Sequence, residues 1–142
     1  MQPDGLAEPG SVQPPTAWGE LELIVDGFSG ESGICLIALY QNSDSFNQTD
    51  RAWRLIRLPV DQPQIRFVVE QVPAGLLAIA AFQDINGNDQ LDKNRLGIPT
   101  ERFGFSNNPR RLLGVPSFQQ VAVQVQPGQR RQVPIQLRSL IP

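Results

Sequence analysis

The stretch Leu76-Leu77-Ala78-Ile79-Ala80-Ala81-Phe82-Gln83-Asp84-Ile85-Asn86-Gly87-Asn88-Asp89-Gln90-Leu91-Asp92-Lys93-Asn94 changes character at its middle. Leu76 to Phe82 is apolar without a break, the pattern of a β-strand covered on both faces. From Asp84 that run stops. Side-chain oxygens recur at every second position, at Asp84, Asn86 and Asn88, and Asp89 and Asp92 follow. A tight loop turns alternate side chains inward together with the carbonyls between them. Ca²⁺ takes about six to eight oxygens at roughly 2.3–2.6 Å. The stretch therefore reads as a strand feeding a candidate calcium loop. Its expected metal ligands are Asp84, Asn86, Asn88, Asp92, the carbonyl of Gln90, and Glu101 arriving from further along.

Counted from Asp84, the loop departs from an EF-hand. The sixth position is Asp89 instead of Gly, and the twelfth is Arg95, which cannot ligate. A competing reading needs no ion, because Asn and Asp side chains also satisfy their own backbone in such loops as Asx turns. Charge fits both. Asp84, Asp89, Asp92 and Glu101 crowd one segment, and either a divalent ion or the interleaved Lys93, Arg95 and Arg102 relieves their repulsion.

The chain before this stretch is strand-like. Leu21, Leu23 and Val25 alternate with Glu20, Glu22 and Asp26, which predicts a half-buried strand from Trp18. Gly27 to Gly33 is a turn region. Ile34 to Tyr40 is apolar on both faces and reads as a central strand. Asn42 to Asp50 is polar around one anchor, Phe46, and predicts a helical turn capped by Ser43 or Ser45. Trp53 to Val60 is a third strand, placed at an edge by Pro59. Ile65, Phe67 and Val69 mark a fourth, and Val72-Pro73-Ala74-Gly75 a turn before the fifth.

Beyond the loop, Asp84 to Ser117 has no strand signal. A stretch this long inside a compact domain needs a ligand or a function to organise it. Gly104-Phe105-Ser106-Asn107-Asn108-Pro109 reads as support for the first loop or as a ligand rim, with Phe103 and Phe105 as anchors. Val121, Val123 and Val125 predict a sixth strand, Gln126-Pro127-Gly128-Gln129 a type II turn, and Val133, Ile135 and Leu137 a seventh. The last two look like a terminal hairpin, with Pro134 at an edge. The fold class is all-β: a single domain of about seven strands, an immunoglobulin-like or prealbumin-like β-sandwich with one long ion-organised loop. Residues 1–17, rich in Pro, Gly, Ser and Gln, read as a flexible tail, and residues 18–139 as the domain.

Composition narrows function by exclusion. The 142 residues hold 12 Gly and 13 Pro, which suits a turn-rich β domain. Net charge is −2 and the arginines are scattered, so no basic stripe for nucleic acid exists. No apolar run is long enough to span a membrane as a helix. There is no histidine, which removes His-based acid–base catalysis and His metal sites. The one cysteine, Cys35, lies in an apolar run and reads as a small buried hydrophobe. The start of the chain lacks the pattern of a signal peptide. Two expectations follow: an exported protein (periplasmic, cell-surface or secreted) whose signal is absent from this chain, or a cytoplasmic one.

The run Val72-Pro73-Ala74-Gly75, Ala78-Ile79-Ala80, Phe82, Asp84, Asn86, Asn88, Leu91-Asp92, Asn94, Gly97-Ile98-Pro99, Glu101, Gly104-Phe105-Ser106-Asn107-Asn108 and Pro116-Ser117-Phe118 resembles the bacterial family catalogued as domain of unknown function 2141. The resemblance covers Trp18 to Arg138. It implies a small all-β, sandwich-like domain, usually carried on exported proteins, and no established activity. The family commonly has His where this chain has Gln83, and Asn-Gly where it has Asn88-Asp89.

The expected function is a non-enzymatic, exported module that binds a structural calcium ion. Its partner would be a protein, peptide or polysaccharide at the cell envelope. The alternatives are a carbohydrate-binding module and a small glycan-processing enzyme. The enzyme would use Glu101 paired with Asp84 or Asp92, which requires carboxyls about 5–9.5 Å apart beside a cleft. The carbohydrate reading requires exposed aromatics, and Trp18, Tyr40 and Trp53 are the only Trp and Tyr residues.

Overall fold

A computed structural model describes residues 17–91, 95, 100–110 and 115–139. Eight strands occur among them: β1 (Trp18–Asp26), β2 (Ile34–Tyr40), β3 (Arg54–Pro59), β4 (Ile65–Pro73), β5 (Gly75–Asp84), β6 (Phe103–Phe105), β7 (Val123–Val125) and β8 (Arg130–Gln136). They form two open sheets in the manner of a sandwich. One has the order β4-β1-β8. The other has the order β3-β2-β5-β6, with β7 also paired to β5. The expected tail falls almost wholly outside the described residues.

Period-2 alternation explains the packing. Leu21, Leu23 and Val25 of β1, Val133 and Ile135 of β8, Cys35, Ile37 and Leu39 of β2, and Leu77, Ile79 and Ala81 of β5 all enter one core between the sheets. The other faces of β2 and β5 are apolar too, which is why both runs read as covered on both sides. Leu36, Ala38 and Tyr40, with Ala78 and Phe82, face a second core on the outside of the larger sheet, which Phe46, Phe103, Phe105 and Phe118 complete. The outer face of the smaller sheet is polar instead. There Glu22 pairs with Arg66 at 3.2 Å, and Glu20 with Arg130 at 2.9 Å.

The structure corrects several expectations. The last two strands are not a hairpin. β7 pairs antiparallel with β5, whereas β8 runs parallel to β1 in the other sheet. The turn at residues 126–129 gives its backbone to β1: Gly128 N–H donates to the Trp18 carbonyl and Glu20 N–H to that of Gln129. Val121 belongs to a four-residue helix, α1 (Phe118–Val121), and not to a strand. Ser117 and Gln120 close its first turn as a capping box. An eighth strand, β6, lies in the stretch that carried no strand signal. Neither Ser43 nor Ser45 caps the polar turn. Asn42 does, its Oδ1 accepting the Ser45 N–H at 3.0 Å. Pro59 and Pro134 do sit on edge strands, β3 and β8.

Cys35 is fully buried in the inner core, and burial alone pushes its thiol from 9.0 up to about 12. Burial, then the charge of Asp50, pushes Tyr40 from 10.0 up to about 12. Both folded values lie above the unfolded ones. The stability they carry is complete below pH 9.0 and is lost as pH climbs toward about 12. Denaturant midpoints are therefore expected to be level just below pH 9.0 and to fall above it. A flat profile to pH 12 would contradict the burial of both groups.

Candidate functional site

The end of β5 carries the loop. Asp84, the last residue of the strand, is 1 % exposed. Its Oδ1 accepts the N–H groups of Gly87 at 3.1 Å and Asn88 at 3.3 Å, and its Oδ2 accepts that of Asp89 at 2.8 Å. One carboxylate thus gathers three consecutive amides and folds the chain around itself. Asn86 and Asn88 repeat the device locally. Their Oδ1 atoms accept the N–H two residues on, from Asn88 at 3.3 Å and Gln90 at 3.0 Å.

Glu101 comes back to this turn from the following segment. Gln83 N–H donates to the Arg102 carbonyl at 2.9 Å, which carries the β5–β6 pairing one step further. Glu101 is buried, and its Oε2 accepts the Ile85 N–H at 2.8 Å. Two buried carboxylates, 17 positions apart in the sequence, therefore hold the main chain of this turn: Glu101 at Ile85, and Asp84 at Gly87 to Asp89.

The residues expected as ligands are thus partly brought together. Asp84 and Glu101 converge on the base of the loop. Asn86, Asn88 and Gln90 lie along its exposed rim. Asp92 lies outside the described residues, as does Gly97-Ile98-Pro99. Among the described residues no three of His, Cys, Asp and Glu form a metal-holding group. Asp89 turns outward. Its two oxygens meet Arg57 of β3 at 2.8 and 3.1 Å. The hydrogen bond and charge of Arg57 hold the Asp89 carboxyl below its usual value, and Asp89 raises Arg57 in return. Its backbone sits at φ 60, a left-handed conformation. That geometry accounts for the glycine that family resemblance expects at this position.

Gln83 is a functional residue in the structural sense that the sequence does not announce. It is 1 % exposed. Its Oε1 accepts the Ser29 N–H at 2.7 Å, and its Nε2 donates to the Ser29 carbonyl at 3.1 Å and that of Ser32 at 2.9 Å. One amide side chain therefore stitches the β1–β2 turn to the strand that ends in Asp84. Arg102 adds a second tie, its Nε donating to the Gly27 carbonyl at 2.6 Å.

The Gly104–Asn108 segment is a clamp. Ser106 is fully buried, and its N–H donates to the Ile79 carbonyl at 2.9 Å. The Ile79 N–H donates to Ser106 Oγ at 3.1 Å, and that hydroxyl donates on to the Val121 carbonyl. It thereby links β5 to the end of α1. Asn107 Nδ2 holds the Gln120 and Ala122 carbonyls, and Asn108 bonds both the Pro134 carbonyl and the Gln136 N–H of β8. Left-handed φ values of 65 and 41 place the two asparagines.

Beside the loop, on the outer face of the larger sheet, lies a pocket of about 310 Å³. Leu36, Ala38, Tyr40, Phe82, Phe103 and Phe105 form its body. Asn47 and Thr49 border one side and Asp89 to Leu91 the other. The sequence signal for it was the double-sided apolar character of β2 and β5, which also fits a fully covered strand. Trp53 packs against the inner core, which leaves the carbohydrate reading without that aromatic, and Trp18 is 43 % exposed.

A model of a bacterial protein family, described as "Uncharacterized protein conserved in bacteria (DUF2141)", matches residues 24–133. Neither a curated protein nor a solved structure matches the chain.

Proposed function

The chain belongs to this uncharacterised bacterial family, and we propose that it is a non-catalytic binding module whose loop from Asp84 to Glu101 holds a structural calcium ion. The observation that carries the reading is the convergence of Asp84 and Glu101. Both carboxylates are buried, and Glu101 accepts the N–H of Ile85, the residue that follows Asp84. No ion pair reaches Asp84 among the described residues. Buried carboxylates are costly unless hydrogen bonds or a cation compensate them. The amides compensate in part, and Asp84 Oδ2, which accepts the Asp89 N–H, has a second lone pair. With the rim carboxamides of Asn86 and Asn88 and the carbonyl of Gln90, the donor set is all oxygen and suits a hard cation.

The same hydrogen bonds favour binding over glycan hydrolysis. Carboxylates that hold main-chain amides in place are engaged in scaffolding, whereas a general acid and base must exchange protons with a substrate. We read the two-sheet arrangement as immunoglobulin-like or prealbumin-like, and the module as one exported to the cell envelope, where it meets a partner. The family resemblance supports both readings.

Isothermal calorimetry tests the ion. The chelator-treated chain is expected to bind calcium once per molecule. Glu101→Gln is expected to weaken binding about tenfold, equivalent to about 1.4 kcal/mol. Absence of binding by the wild-type chain would overturn the calcium reading.

A further inference from the structure

The outer pocket is lined in part by a tyrosine whose hydroxyl the fold does not use. Tyr40 is 1 % exposed, yet its hydroxyl makes no hydrogen bond among the described residues. Its ring packs edge-on against Phe46, with centroids 5.5 Å apart. A buried tyrosine hydroxyl ordinarily finds a partner, because the polar tip is costly to leave dry. The pocket that Tyr40 lines has an apolar body and about 310 Å³ of space, at the small end for ligand sites.

We propose that this pocket binds a small uncharged organic molecule, about one substituted ring in size, whose carbonyl or ether oxygen accepts the Tyr40 hydroxyl. Leu36, Phe82, Phe103 and Phe105 offer flat apolar contact to the ring. The hydroxyl is a donor at neutral pH, since burial and Asp50 keep it protonated up to about 12. Anions are disfavoured, because the charge of Asp50 reaches Tyr40 and the apolar body of the pocket would strip their water. Cations gain little, since Asp89 is already paired with Arg57 and the body of the pocket would strip their water. The proposal rests on the reading of the chain as a binding module and does not require the calcium ion.

The test is heteronuclear NMR of the full chain with three probes of similar shape. Acetophenone carries a neutral acceptor, ethylbenzene carries none, and benzoate is an anion. Acetophenone is expected to shift the amides of Tyr40, Phe82 and Phe105 saturably. It should bind about five- to tenfold more tightly than ethylbenzene, the scale of one net hydrogen bond, and benzoate should not bind. Tyr40→Phe should leave the fold intact and remove the preference for acetophenone. Ala80→Leu, which fills the pocket, should abolish binding of both neutral probes. Equal binding of acetophenone and ethylbenzene, or an unchanged preference in Tyr40→Phe, would overturn the role of the hydroxyl. No saturable binding of either, in protein that still takes calcium, would overturn the pocket while leaving the ion reading standing.

Discussion

Asp84→Ala is expected to lower stability by about 3 kcal/mol with chelator present, before any ion is considered. The mutation strands three N–H groups, those of Gly87, Asn88 and Asp89. Hydrogen bonds to a charged acceptor contribute about 1.5–3 kcal/mol each. Water recovers part of that here, because the loop's rim is exposed. A melting temperature lower by on the order of 10 °C would follow for a domain of this size. Asp84→Asn keeps one acceptor oxygen and is expected to fall between. A melt of Asp84→Ala indistinguishable from wild type would mean that the loop does not depend on this carboxylate.

Gly33→Ala is expected to cost a similar amount, about 3 kcal/mol, by a different route. Gly33 has φ +76, and an L residue in the left-handed region costs about 1–2 kcal/mol. A Cβ there would also lie 2.6 Å from the Asp84 carbonyl oxygen and 2.9 Å from the Ile85 Cα. Those are main-chain atoms, so the end of β5 must move, and Asp84 moves with it. Hydrogen exchange should show the consequence as lost protection at Gly87 to Asp89. Gly30→Ala is the control. Gly30 has φ +68 but nothing within 4 Å of the added methyl. It should carry the conformational cost alone and leave the loop amides protected. Equal loss of protection in both variants would contradict the contact with Asp84.

The strands with clean alternation were legible in the sequence because one buried face imposes a period of two. Leu21-Leu23-Val25 and Val133-Ile135 both enter the inner core. Their pairing was not legible. A Pro-Gly turn between β7 and β8 suggested a hairpin, but strand pairing is set by which edge each strand meets, and β1 offered its edge to β8. β6 was missed because three residues, Phe103 to Phe105, are too few for periodicity to register. The helix at Phe118 carries a sequence signal of its own, the Ser117-x-x-Gln120 capping box.

The loop was legible in composition and only partly in geometry. Alternating oxygens at Asp84, Asn86 and Asn88 marked it, and the Asx-turn reading describes the hydrogen bonds these side chains make. Asp89 was counted among the crowded acids, but an arginine on β3, 32 residues away in the chain, draws it outward. Gln83 looked like a lost histidine. Its role depends on the β1–β2 turn, 51 to 54 residues earlier, and only tertiary structure brings that turn to it.

The calcium ion proposed for this loop would lie at its base, beside Asp84 and Glu101. Thermal melts of the full chain, with excess calcium and with chelator, test it in one comparison. At calcium about 100-fold above its Kd, binding to the folded state alone adds about 2.7 kcal/mol, so the melting temperature should rise clearly, and Asp84→Ala should abolish the rise. Superimposable melts, from protein that carries no metal as purified, would show that amides alone satisfy Asp84 and Glu101, and the calcium reading would be wrong.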